Sequence, residues 1–278
     1  MPGGPEPATL PDGAEALLAP LVADPSKTAV ITDFDGTLAP IVVDPAAARV
    51  LDGVPHLLAR LALSYAVVAV VSGRPVSFLA GQLGRPVGTT GAGVRLVGLY
   101  GLEEAGTDGS VHLAEEARPW LRVVAEAADR LAAGAPVGVL VEVKGAAVTV
   151  HWRRAPESEG WVSARVADEV ARCGLVAHPG RASIELRPPL EVDKGTVVRR
   201  LTEGLPAACF LGDDLGDLPA YAALARRADE DGTHTVAVAV DDAETAPEVR
   251  AVADLVVDGP EGALAVLRWL DARATAPA

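Results

Sequence analysis

The chain has 278 residues, half of them hydrophobic, and carries a formal net charge of −14. The hydrophobic content excludes global disorder, and the negative charge disfavours a nucleic-acid partner because it repels polyanions. No apolar run reaches the roughly 18 residues of a membrane-spanning helix, and we expect no secretory signal at the start. Cys173 and Cys209 form no CxxC pattern, so we expect reduced thiols in a cytoplasmic protein.

The first part of the chain predicts an α/β unit. Residues 1–12 are rich in Pro and Gly and are predicted to be a disordered tail. From residue 13 onward, apolar runs alternate with helical patterns, which predict the following elements: helices at 13–23, 54–63 and 76–83 and strands at 28–32, 66–71 and 94–100. This alternation is typical of a parallel sheet with helices on both faces.

The pattern changes near residue 105 and returns after Pro188. The intervening segment predicts an α+β domain with these elements: helices at 114–133 and 159–173 and strands at 137–143, 146–152, 175–178 and 182–186. The last part again alternates, with helices at 194–203, 218–228, 247–252 and 261–272 and strands at 207–211, 235–240 and 255–257. We therefore predict a core at 13–105 and 186–272, an inserted domain at 106–185 and a tail at 273–278.

Two carboxylates follow the first predicted strand directly. Asp33 and Asp35 stand two residues apart, before Gly36 and Thr37. Open α/β sheets bind ligands at the carboxyl ends of their strands, and an extended chain directs residues two apart to the same side. One carboxylate can then attack a substrate while the other transfers protons. An isolated Asp-x-Asp would more often be two exposed acids before a turn.

Two further motifs carry groups that can bind an anion. The tripeptide Ser72-Gly73-Arg74 follows the second predicted strand and offers a hydroxyl and a free backbone N–H. Lys194 opens a predicted helix, where it would add positive charge to an anion site. Considered alone, a plain turn and a solvated surface lysine explain these residues at least as well.

Three more carboxylates follow the strand predicted at 207–211, and these are Asp213, Asp214 and Asp217. If they converge, they require a counter-charge, and a hard cation with oxygen ligands, Mg²⁺ in particular, supplies it. Considered alone, they could equally form a solvated acidic loop.

In this order, the four motifs resemble those of the haloacid dehalogenase-like (HAD) phosphohydrolase superfamily, which has a Rossmann-like core, and the insertion resembles its C2-type cap. Six stretches resemble one family within this superfamily, the trehalose-6-phosphate phosphatases, and they are 33–45, 71–75, 99–103, 141–153, 184–195 and 211–217. The resemblance covers about residues 27–270. The chain departs from the family at Tyr100, where His is common, and at Gly216 and Leu218, where Thr and Glu are common.

The resemblance implies a Mg²⁺-dependent phosphatase that converts trehalose 6-phosphate to trehalose and inorganic phosphate through an aspartyl phosphate. It implies that Asp33 is the nucleophile and Asp35 the general acid and base. The groups that would bind the phosphate are Thr37, Ser72, Gly73 and Lys194. Those that would hold the metal are Asp33, the main-chain carbonyl of Asp35, and Asp213, supported by Asp214 or Asp217. Those that would bind the sugar are Glu142, Lys144, Arg153, Arg181 and Glu185.

Two alternatives stay open at this stage. One is another sugar-phosphate phosphatase of the superfamily, acting on sucrose phosphate or mannosyl-phosphoglycerate, because the same core serves all of them. The other is a catalytically silent sugar-phosphate-binding regulator, against which the presence of both Asp33 and Asp35 argues. The resemblance also implies a functional link to a trehalose-6-phosphate synthase.

Overall fold

The computed structural model describes residues 9–42, 44–84, 93–106, 108–180, 182–243 and 245–274. The chain divides into two compact units, Met1–Val111 with Val192–Ala278 and His112–Glu191. The second unit thus begins at residue 112 and ends at residue 191, whereas the sequence predicts an insertion from 106 to 185. Most of the two predicted tails lies outside the described residues, but Leu10 packs against the core of the first unit.

The strands, in chain order, are β1 Thr28–Thr32, β2 Val67–Val71, β3 Arg95–Gly98, β4 Glu103–Ala105, β5 Val111–Leu113, β6 Leu140–Lys144, β7 Ala147–His151, β8 Val176–Gly180, β9 Ser183–Arg187, β10 Ala207–Gly212, β11 His234–Asp241 and β12 Leu255–Asp258. The α-helices are α1 Ala14–Ala23, α2 Val54–Ser64, α3 Val76–Leu83, α4 Trp120–Ala132, α5 Glu159–Cys173, α6 Lys194–Leu201, α7 Leu218–Asp231, α8 Pro247–Val252 and α9 Gly259–Arg273.

The first unit is built on a large sheet, in which β12-β11-β10-β1-β2-β3-β4 are consecutive neighbours. The pairings from β12 through β3 are parallel, and β4 pairs with β3 in the antiparallel orientation. Every residue of β1 and β10 is buried, as expected for central strands of a parallel sheet covered on both faces. The α/β core with a parallel-dominated sheet is therefore confirmed.

Apolar side chains pack on both faces of this sheet. One core joins helices α1, α2 and α9 to the sheet and contains Leu18, Leu61 and Leu267. The other joins α6 and α7 to the opposite face and contains Val197 and Phe210. The two layers fix β1 and β10 at the centre, so the loops that follow these strands lie on a rigid support.

The second unit has its own antiparallel sheet, in the order β6-β7-β9-β8. Helices α4 and α5 cover one face of it, where Val124, Val148, Val166 and Leu186 are buried together. The opposite face carries polar side chains. Within the described ranges, no helix combines the length and the apolar character that crossing a bilayer requires.

Three of the differences between the structure and the predicted elements have a clear physical reason. Helix α4 begins at Trp120 rather than at residue 114, because Pro119 has no N–H to continue the preceding turn. Strand β3 ends at Gly98, since Leu99 and Tyr100 adopt positive φ angles of 48° and 60°. The strands β4 and β5 were not predicted, because three residues are too few for a periodic pattern.

Candidate active site

The candidate site lies at the carboxyl ends of β1, β2 and β10. Strand β1 pairs in parallel with β10 on one side and β2 on the other. Asp33 therefore follows β1 beside Asp213, which follows β10, and Ser72 follows β2. All three are buried, with exposed fractions of 5% or less. Parallel pairing is the reason that residues distant in sequence share this edge of the sheet.

Lys194 joins two of the carboxylates. Its ammonium lies 2.9 Å from Asp33 Oδ1 and 2.6 Å from Asp217 Oδ1. Lys194 is the first residue of α6, whose N-terminus is held by a capping box between Asp193 and Thr196. The predicted surface-lysine alternative is therefore wrong, because Lys194 is only 3% exposed.

Asp217 holds the loop that carries Asp213. Its Oδ2 accepts the backbone N–H groups of Asp213 and Asp214, at 2.9 and 3.2 Å, while its Oδ1 faces Lys194. Both oxygens of this fully buried carboxylate are thus engaged by the protein. We infer that Asp217 positions its neighbours.

The site holds more negative charge than Lys194 alone can neutralise. Ligand oxygens of Asp33, Asp213 and Asp217 lie within 4.8 Å of one another, and all three residues are buried. Burial raises the pKa of Asp33 and Asp213 well above their ordinary values, with neighbouring carboxylates adding to the effect at Asp213. Burial also raises the pKa of Asp217 to about 6. Although burial opposes it, the carboxylates of Asp217 and Asp33 raise the pKa of Lys194.

A divalent cation fits this donor set, because hard cations prefer clustered carboxylate oxygens. The cation would supply the counter-charge that the three buried carboxylates lack. Two glycines allow the cluster to form. A Cβ on Gly36, whose φ is +76°, would lie 2.1 Å from Asp213 Oδ2, and one on Gly212 would lie 2.4 Å from Asp217 Cγ.

Asp35 is held by an arginine. Arg74 donates from Nε to Asp35 Oδ2 at 2.7 Å and from Nη2 to Oδ1 at 2.8 Å. The Arg74 guanidinium also lies over the Phe78 ring, 4.5 Å from its centroid, and Phe78 meets Phe34 edge to face. A bidentate pair on an aromatic support fixes the direction of the Asp35 carboxylate. Asp35 keeps lone pairs for a substrate, because a carboxylate has about four acceptor sites.

The predicted phosphate-binding groups surround these acids. Thr37 is buried, and its hydroxyl donates to Asp213 Oδ1 at 3.4 Å. The Ser72 hydroxyl oxygen accepts the N–H of Arg74 at 3.2 Å. Gly73 lies against Tyr100, since a Cβ on Gly73 would meet the Tyr100 hydroxyl at 2.5 Å. Tyr100 therefore fills the space beside the Gly73 backbone, and its ring centroid is 6.0 Å from the Lys194 ammonium.

Asp214 stands apart from the buried cluster. It is exposed, and its carboxylate accepts the N–H of Gly216 at 2.9 Å as the cap of a short turn. Gly216, one of the departures from the family pattern, takes part in this turn. Of the three acids predicted from the loop, the structure brings Asp213 and Asp217 to Asp33 but not Asp214.

The second unit presents a charged row on the polar face of its sheet. Glu142, Thr149, Glu185 and His178 are successive register partners across β6, β7, β9 and β8. Cross-strand partners share a face, so these side chains are neighbours. Lys144 lies between two of them, 3.5 Å from Glu142 Oε2 and 3.6 Å from Glu185 Oε1.

Hydrogen bonds order this row further. The Thr149 hydroxyl donates to Glu185 Oε1 at 3.1 Å, and Arg187 donates to Glu185 Oε2 at 2.5 Å. His151 lies 2.9 Å from Glu142 Oε2. The structure thus joins Glu142, Lys144 and Glu185 in one cluster.

The other two predicted sugar-binding residues are not in this cluster. Arg153 is half-buried and lies in the turn after β7, beyond the row of register partners. Arg181 lies outside the described residues.

Several polar neighbours of the predicted residues were missed from the sequence. Arg74 is the most important, and its position directly after Ser72-Gly73 was the available signal. Thr149 was missed because the pairing of β7 with β9, which joins residues 36 positions apart, has no local pattern. Arg187 lies two residues from Glu185 on the same strand, and this spacing was the available signal.

Comparisons with known proteins identify the family of the chain. The family model for trehalose-phosphatases matches residues 31–256. A trehalose-phosphate phosphatase of Mycobacterium marinum is 34% identical over 227 residues, covering 77% of this chain and 56% of that protein. One of Mycolicibacterium paratuberculosis is 36% identical over 164 residues, covering 54% of this chain and 41% of that protein. The chain thus spans about half the length of these relatives.

A solved structure shares the fold. The C-terminal domain of the Candida albicans trehalose-6-phosphate phosphatase superimposes with a TM-score of 0.73 at 24% identity, covering 96% of this chain and 99% of that one.

Proposed function

The chain belongs to the trehalose-phosphatase family of the HAD superfamily, and from this premise we propose that it hydrolyses trehalose 6-phosphate to trehalose and inorganic phosphate. One observation carries the proposal. The Lys194 ammonium bridges Asp33 and Asp217 at the carboxyl end of the central strands, beside Asp213. A buried cluster of this composition offers a nucleophile, a fixed cation and oxygen ligands in one place, which phosphoryl transfer requires.

In the proposed first step, an Asp33 oxygen attacks phosphorus while the bond from phosphorus to the sugar oxygen breaks. Asp35 gives a proton to the departing sugar oxygen, so trehalose leaves as a neutral alcohol. In the second step, water attacks the phosphorus of the aspartyl phosphate, and Asp35 accepts its proton. Phosphate is released and the Asp33 carboxylate is restored.

The surrounding residues orient these two acids. The fork from Arg74 holds the Asp35 carboxylate in one direction, so the proton is exchanged at a defined atom. Lys194 holds Asp33 and, with Thr37, Ser72 and the Gly73 N–H, would bind the phosphate oxygens that are not transferred. Positive and dipolar groups fixed in advance cost no reorganisation when charge develops.

We propose Mg²⁺ as the cation, with side chains of Asp33 and Asp213 and the main-chain carbonyl of Asp35 as ligands and Asp217 in support. When bound, Mg²⁺ neutralises charge between the carboxylates and an incoming phosphate dianion. The raised pKa of the buried acids supports the proposal, because these groups lack a sufficient counter-charge without it.

For the sugar, we propose Glu142, Lys144 and Glu185 of the second unit as the binding residues, with Arg153 and Arg181 as further candidates. The cluster supports this role, since carboxylates and a cation held together can bind neighbouring hydroxyls by charge-assisted hydrogen bonds. A cytoplasmic location, the absence of a nucleic-acid partner and a link to a trehalose-6-phosphate synthase stay predictions from the sequence.

The test is a phosphate-release assay with MgCl₂ over trehalose 6-phosphate, sucrose 6-phosphate, mannosyl-phosphoglycerate and glucose 6-phosphate. We expect the highest kcat/KM for trehalose 6-phosphate. The matched control is Asp33→Asn, of nearly equal size, which we expect to abolish turnover while keeping the melting temperature. A different preferred ester would favour the related phosphatases. No release from any ester, with sugar phosphate still bound, would favour the silent regulator.

A further inference from the structure

A groove lies between α6 and α7, and the proposed function gives its lining residues no role in catalysis or sugar binding. The two helices are in backbone contact at their N-terminal ends, where a Cβ on Gly195 would lie 2.4 Å from the carbonyl oxygen of Pro219. Further along, the small side chains of Ala222 and Ala223 leave a cavity of about 200 Å³. The cavity is large enough for a small polyatomic ion.

Arginines line this groove from both helices. Arg199 of α6 and Arg226 of α7 are both exposed, and neither forms an ion pair with a residue of the described ranges. The chain has 38 acidic residues against 24 basic ones, so the absence of a carboxylate partner for these two arginines in the described ranges is not due to a shortage of acids. Two like charges that share a groove repel each other, and an anion between them would offset this repulsion.

Arg227 adds a third guanidinium to the groove lining. Its Nη1 donates to Asp231 at 2.6 Å, and its Nη2 donates to the carbonyls of Thr202 and Leu205 at 3.0 and 3.2 Å. Its Nε is buried and has no hydrogen-bond partner within the described part of the chain. A buried donor without a partner is costly and calls for an explanation.

Two acids also line the groove and bear on its charge. The Asp193 carboxylate is already engaged by the N–H of Thr196 at 2.8 Å, as the cap of α6. Glu230 follows Arg226 by one helical turn, and it is exposed. Glu230 is therefore the carboxylate that competes with an external anion for Arg226.

We propose that this groove is a second anion site, which binds a phosphoryl group between Arg199 and Arg226. Guanidinium groups suit phosphoryl oxygens because their planar forks donate two hydrogen bonds at once. The site is separate from the Lys194 cluster, although both involve the same pair of helices. Helix α6 begins at Lys194 and α7 follows Asp217 directly, so an anion that links the helices would also stabilise the support of that pair.

The site is tested by NMR titration of the ¹⁵N-labelled full chain, with EDTA present to exclude metal-assisted binding. The probes are inorganic orthophosphate, pyrophosphate and glucose 6-phosphate. We expect saturable shifts of the Arg227 Nε–H and of the backbone around Ala222. Tighter binding of glucose 6-phosphate than of orthophosphate would identify a phosphorylated metabolite as the ligand, and the reverse order would identify free phosphate.

Three variants make the test specific. We expect R199A/R226A to bind at least tenfold more weakly, the equivalent of about 1.4 kcal/mol. Glu230→Gln should bind more tightly, because it removes the competing carboxylate. Arg268→Ala is the matched control, since Arg268 is an exposed arginine on α9 outside the groove, and it should bind as the wild type does. Both groove arginines are exposed, so we expect R199A/R226A to keep the wild-type melting temperature, and the single variants serve if it does not.

Other outcomes would overturn the proposal. Shifts confined to the loops after β1 and β2 would mean that the probes enter only the candidate active site. Equal weakening by Arg268→Ala would mean that the ions respond to surface charge without a site. Because binding is measured without turnover, neither result depends on whether the chain hydrolyses trehalose 6-phosphate.

Discussion

Replacement of Arg74 by Met tests how Asp35 is controlled. Met keeps much of the length and packing of the arginine stem but removes the fork that donates to Asp35 at 2.7 and 2.8 Å. We expect kcat for trehalose 6-phosphate to fall, because the freed carboxylate samples directions from which it cannot protonate the leaving oxygen. Since Phe78 still has an apolar neighbour, we expect the fold to persist.

The magnitude follows from the two lost hydrogen bonds. Each charge-assisted bond is worth about 1.5–3 kcal/mol. The side chains of Arg74 and Asp35 are 9% and 29% exposed, so water replaces part of the interaction, and we count one bond rather than two. The expected loss in kcat is therefore about 10- to 150-fold. Arg74→Lys keeps the charge without the fork and should lose less.

The assay compares steady-state phosphate release from trehalose 6-phosphate with release from p-nitrophenyl phosphate. Nitrophenolate leaves without a proton, so we expect a much smaller loss with that ester. Arg95→Met is the matched control, because Arg95 pairs with Glu104 elsewhere on the same sheet. A kcat for Arg74→Met within twofold of the wild type would refute the positioning role. Equal losses on both esters would assign Arg74 to the nucleophilic step instead.

Three further predictions concern the metal, the thiols and the sugar. Chelation should abolish phosphate release and added Mg²⁺ should restore it. The rise in melting temperature with Mg²⁺ should be larger at pH 8 than at pH 5, because Asp33 and Asp213, which we propose as ligands, have raised pKa values and must lose any bound proton to bind the cation. Undiminished activity in EDTA would contradict the metal proposal. Burial raises the pKa of Cys209 to about 12, so a thiol reagent at pH 8 should leave Cys209 unmodified in the native protein. In denaturant, the same reagent should modify both cysteines. Rapid labelling of Cys209 in the native protein would disagree with its burial. Glu142→Gln should lower kcat/KM for trehalose 6-phosphate about 10- to 150-fold and leave kcat/KM for p-nitrophenyl phosphate nearly unchanged. Equal losses on both esters would indicate that Glu142 supports the fold.

The alternation of elements and the order of the motifs were accessible from the sequence. Buried parallel strands such as β1 and β10 are continuous apolar runs, and such runs are visible without tertiary information. The acids at their ends could be predicted to meet, because parallel strands finish at the same edge. Short or polar strands such as β4 were missed, since three residues establish no period.

The sequence by itself therefore determined which side chains reach the edge of the sheet, and only the tertiary structure decided what each one does there. Asp214 and Asp217 are the same residue type in one loop, so the sequence does not distinguish them. In the fold, the Asp217 carboxylate contacts Lys194 and buried backbone N–H groups, whereas the exposed Asp214 carboxylate caps a short turn. The Arg74 fork on Asp35 and the pairing of Glu142 with Lys144 likewise depend on angles and distances of a few ångströms. Periodicity records which residues are buried, but the direction of a hydrogen bond is fixed by the packing of the whole unit.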